Sequence, residues 1–202
     1  GTLVTDCSIG YTWALNSSLN KITPWSNDTR YDLCGEKIIL ETDGKYFDLA
    51  NGASVFFAEN EAVYSGSADN IKFVLTVCVP ENEMKKEIRV SLSCNEKRDV
   101  KIIYMTEPVL SDKSETNGLV NGYREENSVV FFNPASEFSG KAKLAVTGKN
   151  SFALFDKADF LSGNWDSDKK LPRKNPVCSI GRKIRLSSDK NEEFLFSLEF
   201  IP

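Results

Sequence analysis

The sequence predicts an all-β fold in which two antiparallel sheets pack face to face, and three observations predict it. Apolar residues recur with a period of two along several stretches. Short polar pairs rich in asparagine and glycine separate those stretches. No long stretch carries the 3.6-residue stripe of an amphipathic helix, and Ala158 to Leu161 has room for a single turn. Alternation places successive side chains on opposite faces of a strand, and frequent turns between short strands are the pattern of an antiparallel sandwich.

The elements can be taken in order. Ile71, Phe73, Leu75, Val77 and Val79 share one face of a strand, and Ile88, Val90, Leu92 and Cys94 share another against Arg89, Ser91 and Ser93. Val100, Ile102 and Tyr104 continue the pattern. Ala142, Leu144 and Val146 repeat it, as do Phe194, Phe196, Leu198 and Phe200 near the end. Turns are expected at Asp43-Gly44, Asn51-Gly52, Asn117-Gly118, Asn121-Gly122 and Gly148-Lys149-Asn150. The expected interior is Phe73, Leu75, Val77, Ile88, Val90, Leu92, Ile102, Leu144, Val146, Phe196 and Leu198. No repeat or linker divides the chain, so residues 1–202 read as one domain.

Composition sets bounds on function. The chain has 202 residues, 41% hydrophobic and 27% charged, which is the composition of an ordinary globular domain with a sizeable core. The net charge of −4 gives no concentrated basic face for nucleic acid. The densest basic stretch, Lys169 to Lys174, follows Asp166 and Asp168 and is broken by Pro172, so it reads as a solvated loop. No apolar run approaches the ~20 residues that span a bilayer, so membrane insertion by this segment is not expected. Cys7, Cys34, Cys78, Cys94 and Cys178 are scattered without a C-x-x-C pair. They read as small core hydrophobes of a reducing compartment, and a cytoplasmic location is expected. The histidine count is zero, which removes Ser-His-Asp and Cys-His triads, imidazole metal sites and histidine proton shuttles together. No metal and no cofactor is expected.

Asn16 to Asp32 breaks the alternation. It is polar and aromatic, contains Pro24, and reads as a long loop after a short strand; such loops often carry function. Tyr11, Trp13 and Trp25 can offer aromatic faces to the C–H faces of pyranoses, and Asn16, Asn20, Asn27, Asp28 and Arg30 can bond the hydroxyls. The competing reading has the aromatics pinning the loop to the sandwich. Asp28, Asp32 and Glu36 are acids of the kind glycosidic chemistry uses in pairs, but polar loops commonly hold such clusters. Trp165, in Gly163-Asn164-Trp165-Asp166, reads as a cap on an open end of the sandwich.

Gly10-Tyr11-Thr12-Trp13, then Asn16-Ser17, then Thr23-Pro24-Trp25-Ser26-Asn27-Asp28 and Gly35-Glu36 resemble the N-terminal sandwich of the cellobiose-phosphorylase family of inverting glycoside phosphorylases. That is glycoside hydrolase family 94, formerly glycosyltransferase family 36, and the flavour is that of the phosphorylase-like part of cyclic β-1,2-glucan synthases. Val79-Pro80, Asn133-Pro134, Glu137-Phe138-Ser139-Gly140, Ala158-Asp159-Phe160-Leu161 and Pro176-Val177-Cys178 resemble later segments in the same order. Ser18-Leu19 stand where the pattern has Arg-Glu, so a charged pair is absent from the loop nearest sugar.

The resemblance implies a supersandwich of the galactose-mutarotase-like class, lacking its first strands and followed in its parent by a catalytic (α/α) barrel. The chain by itself is then not an enzyme. Its expected partners are that barrel, a β-glucan or other oligosaccharide, and a second copy in a homodimer. A free-standing, weak carbohydrate-binding module is the alternative. A mutarotase mechanism, which in that class uses histidine with glutamate, has no histidine available.

Overall fold

The computed structural model describes residues 1–24, 35–112, 114–188 and 190–202. The chain runs through β1 (Thr2–Thr5), β2 (Ser8–Thr12), β3 (Glu36–Thr42), β4 (Lys45–Asp48), β5 (Ser54–Ala58), β6 (Glu61–Ala68), β7 (Ile71–Cys78), β8 (Lys85–Ser93) and β9 (Arg98–Thr106). A 3-10 turn (Ser114–Leu119) leads to β10 (Asn121–Arg124), β11 (Ser128–Phe132), β12 (Lys141–Val146) and β13 (Ser151–Asp156). One helix, α1 (Lys157–Ser162), precedes β14 (Pro176–Leu186) and β15 (Glu192–Ile201).

The strands form an eight-stranded sheet in the order β10-β11-β12-β15-β8-β7-β6-β5 and a five-stranded sheet in the order β13-β14-β9-β3-β4. The pairings within both sheets are antiparallel. A separate hairpin, β1-β2, leans on the large sheet, where the Tyr64 hydroxyl of β6 lies 2.6 and 2.8 Å from the Thr5 and Ser8 carbonyls.

Two-residue turns set the register of the short hairpins. Asp43-Gly44 joins β3 to β4 with both residues at positive φ, the conformation that twists with the strands it connects. Asp69-Asn70 does the same between β6 and β7. Asn121-Gly122 is not a turn. It opens β10, and a Cβ on Gly122 would sit 2.4 Å from the Val130 carbonyl oxygen, so glycine there serves a close approach of strands. Asn117-Gly118 lies within the 3-10 turn.

The core fills the space between the two sheets. All eleven residues expected inside are buried, from Leu75, Ile88, Leu92, Ile102, Leu144 and Phe196 at full burial to Phe73 at 6% exposure. Tyr104 of β9 meets Phe196 of β15 edge-to-face across the gap, ring centres 5.9 Å apart.

The outer face of the five-stranded sheet is covered as well. Ile39, Ile103, Met105, Phe152 and Val177 form a second apolar cluster with Phe160 of α1 and Trp165. Trp165 is 2% exposed and stacks on Phe160 and Phe152. It therefore covers a face of the small sheet rather than capping an end of the sandwich. The basic stretch is a loop with Lys169, Lys170 and Lys174 exposed; it is anchored where Lys169 pairs with Asp159 at 2.9 Å and where Leu171 is buried. Of the four cysteines described, all free, Cys94 and Cys178 are buried and Cys78 is half-buried. Cys7 is exposed, so the core-hydrophobe reading fails there.

The alternation makes a direct prediction. Leu75→Ala removes a fully buried side chain and should cost about 2–5 kcal/mol in urea unfolding. Val74→Ala, one residue away on the open face, should cost less than about 1 kcal/mol. Similar losses at both positions would contradict this register.

Candidate functional site

The segment singled out by the sequence begins on β2 and returns to the sheet at β3. Gly10 sits at φ 101°, where a Cβ would lie 1.6 Å from the Leu3 carbonyl oxygen, so only glycine allows the irregular β1-β2 pairing. Tyr11 is 6% exposed and Thr12 is buried. Trp13 is half-buried; its amide donates to the Gly1 carbonyl, and its backbone bridges to Lys21, which bridges to Ser111.

Residues 14–20 make a compact turn. Asn16 is exposed, and its Oδ1 accepts from the Ser18 and Leu19 amides at 2.9 and 3.0 Å. Asn20 is 1% exposed, and neither atom of its side-chain amide has a hydrogen-bond partner among the described residues.

The base beneath this segment is a buried polar cluster. Glu36, at the start of β3, receives Lys86 of β8 on Oε2 at 2.8 Å and the Tyr104 hydroxyl of β9 on the same oxygen at 2.5 Å. The Thr23 hydroxyl donates to Oε1 at 2.9 Å and accepts from the Thr12 amide. Lys86 also donates to the Ile9 carbonyl of β2 at 2.5 Å. All of these side chains are at most 1% exposed. Pro24 and Gly35 pack together above them: a Cβ on Gly35 would lie 2.7 Å from the Pro24 ring.

Of the eight residues expected to meet sugar, the structure therefore brings four to one region. Trp13 and Asn16 face solvent in part, whereas Tyr11 and Asn20 present almost no surface. Trp25, Asn27, Asp28 and Arg30 lie outside the described residues, as do Asp32 and Cys34. The hollow beside Trp13 holds about 60 Å³, room for one or two waters and far less than a pyranose.

Glu36 is not poised for acid–base work. Both oxygens are engaged and the carboxylate has no exposed surface. Burial pushes the Cys178 thiol well above its ordinary range, and burial followed by the Glu87 charge raises that of Cys78, so neither is held as a ready thiolate. Among the described residues no group of three or more acids or cysteines is placed to hold a metal ion.

The residue that sequence reasoning missed is Lys86. It shares its strand face with Ile88, Val90 and Leu92, and a lysine in register with three core residues was the available signal for a buried partner.

Comparison with known proteins places this architecture. Residues 1–137 match the family model described as glycosyl hydrolase 94, supersandwich domain. No curated protein matches the sequence. Among solved structures, a protein described as a kojibiose phosphorylase from the human microbiome aligns with 95% of this chain and 25% of its own, at TM-score 0.55 and 11% identity. A bacterial glucoamylase complexed with acarbose aligns over 99% of this chain and 33% of its own, at TM-score 0.57 and 14% identity. A polysaccharide lyase aligns over 99% and 32%, at TM-score 0.59 and 8% identity. At these identities the likeness is one of fold, and this chain spans about a quarter to a third of each.

The buried cluster predicts an asymmetric mutational response. Glu36→Ala strands the Lys86 ammonium in the core and should cost about 3–5 kcal/mol in chemical unfolding. Glu36→Leu combined with Lys86→Met should cost clearly less than the single change, because no charge is then left unpaired. A double variant no more stable than Glu36→Ala would show that the pair is not the origin of the loss. Asn20→Leu should leave stability within about 1 kcal/mol, since the amide it removes makes no bonds among the described residues.

Proposed function

Because this chain belongs to the glycosyl hydrolase 94 supersandwich-domain family, we propose that it is the non-catalytic, carbohydrate-associated sandwich of a larger glycoside phosphorylase or glycosyltransferase-like protein. In that setting it supports a catalytic helical barrel and approaches oligosaccharide from one side. The observation that carries this reading is how Glu36 is used. The acid at the end of the family-like segment is bound to Lys86, Tyr104 and Thr23, so it holds the two sheets and the base of the segment together instead of facing substrate.

Two further features support it. The chain contains no histidine, and burial raises the pKa of the Cys178 and Cys78 thiols, so the usual proton-transfer and nucleophilic groups are scarce. The structures that share the fold are described as a phosphorylase, a glucoamylase and a polysaccharide lyase, and in each the matched region is a minority of the chain. A common sandwich beside different chemistries fits a supporting role, since activity belongs to sites and not to folds.

The test is enzymatic. The folded 202-residue chain, incubated with cellobiose or kojibiose and inorganic phosphate, should release no sugar phosphate above a heat-denatured control. Turnover that survives further purification would overturn the reading.

A further inference from the structure

A large walled cleft lies away from the segment around Trp13. It opens on the outer face of the five-stranded sheet, between β4 and α1, and encloses about 590 Å³. Ile39 and Met105 form its floor. Tyr46, half exposed at 49%, and Leu161, exposed at 72%, stand at its sides. Volumes of roughly 300–1,000 Å³ with an apolar floor and a few polar groups are those of small-molecule sites.

The walls are fixed in place. Asp156 caps α1 by accepting from the Ala158 and Asp159 amides, and Gly163 ends the helix at φ 75°. A Cβ on Gly163 would lie 2.1 Å from the Tyr46 hydroxyl, so the glycine lets the ring lie against the helix end. The same ring meets Trp165 edge-on at 5.3 Å, and the Trp165 indole donates to the Phe160 carbonyl. Asp159 draws the following loop back by accepting from Ser167 and Lys169.

The rim is polar and electrically balanced. Lys37 pairs with Asp48 at 3.0 Å, and Lys157 pairs with Glu107 at 2.9 Å; all four side chains keep some exposure. An ionic ligand must compete with a partner that is already in place. A neutral polyol can use the remaining lone pairs of Asp48 and Glu107 and the remaining N–H groups of Lys157 without breaking either pair. An exposed phenol ring over an aliphatic floor suits the C–H face of a pyranose.

We propose that this cleft is a preformed saccharide site that takes a neutral pyranose disaccharide, with Tyr46 as the stacking face and the Lys37–Asp48 and Lys157–Glu107 pairs as hydroxyl partners. The inference rests on the carbohydrate-associated reading of the domain but concerns a different surface from the segment around Trp13.

Amide chemical-shift mapping of the 202-residue chain with millimolar cellobiose and kojibiose tests it. The expected result is perturbation at residues 46–51 and 157–163, with affinity lowered about tenfold or more by Tyr46→Ala and by Leu161→Glu and unchanged by Trp13→Ala. Leu161→Glu alters a highly exposed side chain and keeps the test alive should Tyr46→Ala disturb folding. Perturbation centred on residues 13–23, insensitive to both cleft variants, overturns the cleft and leaves the domain's saccharide contact standing. No perturbation by either sugar also overturns the cleft; the non-catalytic assignment then stands or falls on the phosphorolysis assay alone.

Discussion

The structure depends on one buried ion pair. Glu36 and Lys86 come from facing sheets, and each is fully enclosed. Two charges removed from water are costly unless both are paired and their remaining bonding capacity is used. Here Tyr104, Thr23 and the Ile9 carbonyl supply that capacity. The cluster therefore holds β2, β3, β8 and β9 in a single relative placement. Apolar packing alone would tolerate small slips between the sheets, whereas an ion pair with directional hydrogen bonds on both partners tolerates them less. Such a pair adds little net stability over a well-packed apolar substitute, whereas removing one partner leaves a buried charge uncompensated.

That cluster also explains what the family-like residues do. Gly10 is required by a close backbone approach, Thr23 relays the Thr12 amide to Glu36, and Glu36 meets Lys86. These parts of the distinctive stretch are spent on joining the hairpin to the sandwich. A sequence signature can thus be informative about ancestry while its described residues work on architecture.

Strands were legible in the sequence where a single face is buried. β7, β8, β12 and β15 show alternating burial, and their apolar residues had been placed correctly by period alone. β9 was legible only in part, because Ile103 and Met105 on its second face are buried beneath α1 and Trp165, which breaks the apolar–polar rhythm. β14 was hidden for the same reason, with Val177 outward and Cys178 and Ile180 inward, all buried. Asn121-Gly122 misled because glycine serves close strand approach as well as turns. Composition suggested Tyr11 and Asn20 as ligand contacts, but exposure is a tertiary property, and the fold encloses both.

The same third layer that obscured β9 and β14 creates the cleft beside β4. A sandwich sheet with a polar outer face would be open to water and nearly flat. Placing Phe160 and Trp165 over part of it buries that part of the face and leaves a step beside β4, and that step is the cleft. Its floor comes from β3 and β9 and its sides from β4 and α1, segments more than a hundred residues apart in the chain. No local pattern announces such a site. What the sequence did contain was an unexplained surplus: apolar residues on both faces of β9 and a tryptophan in a polar loop, each more than a two-layer sandwich needs.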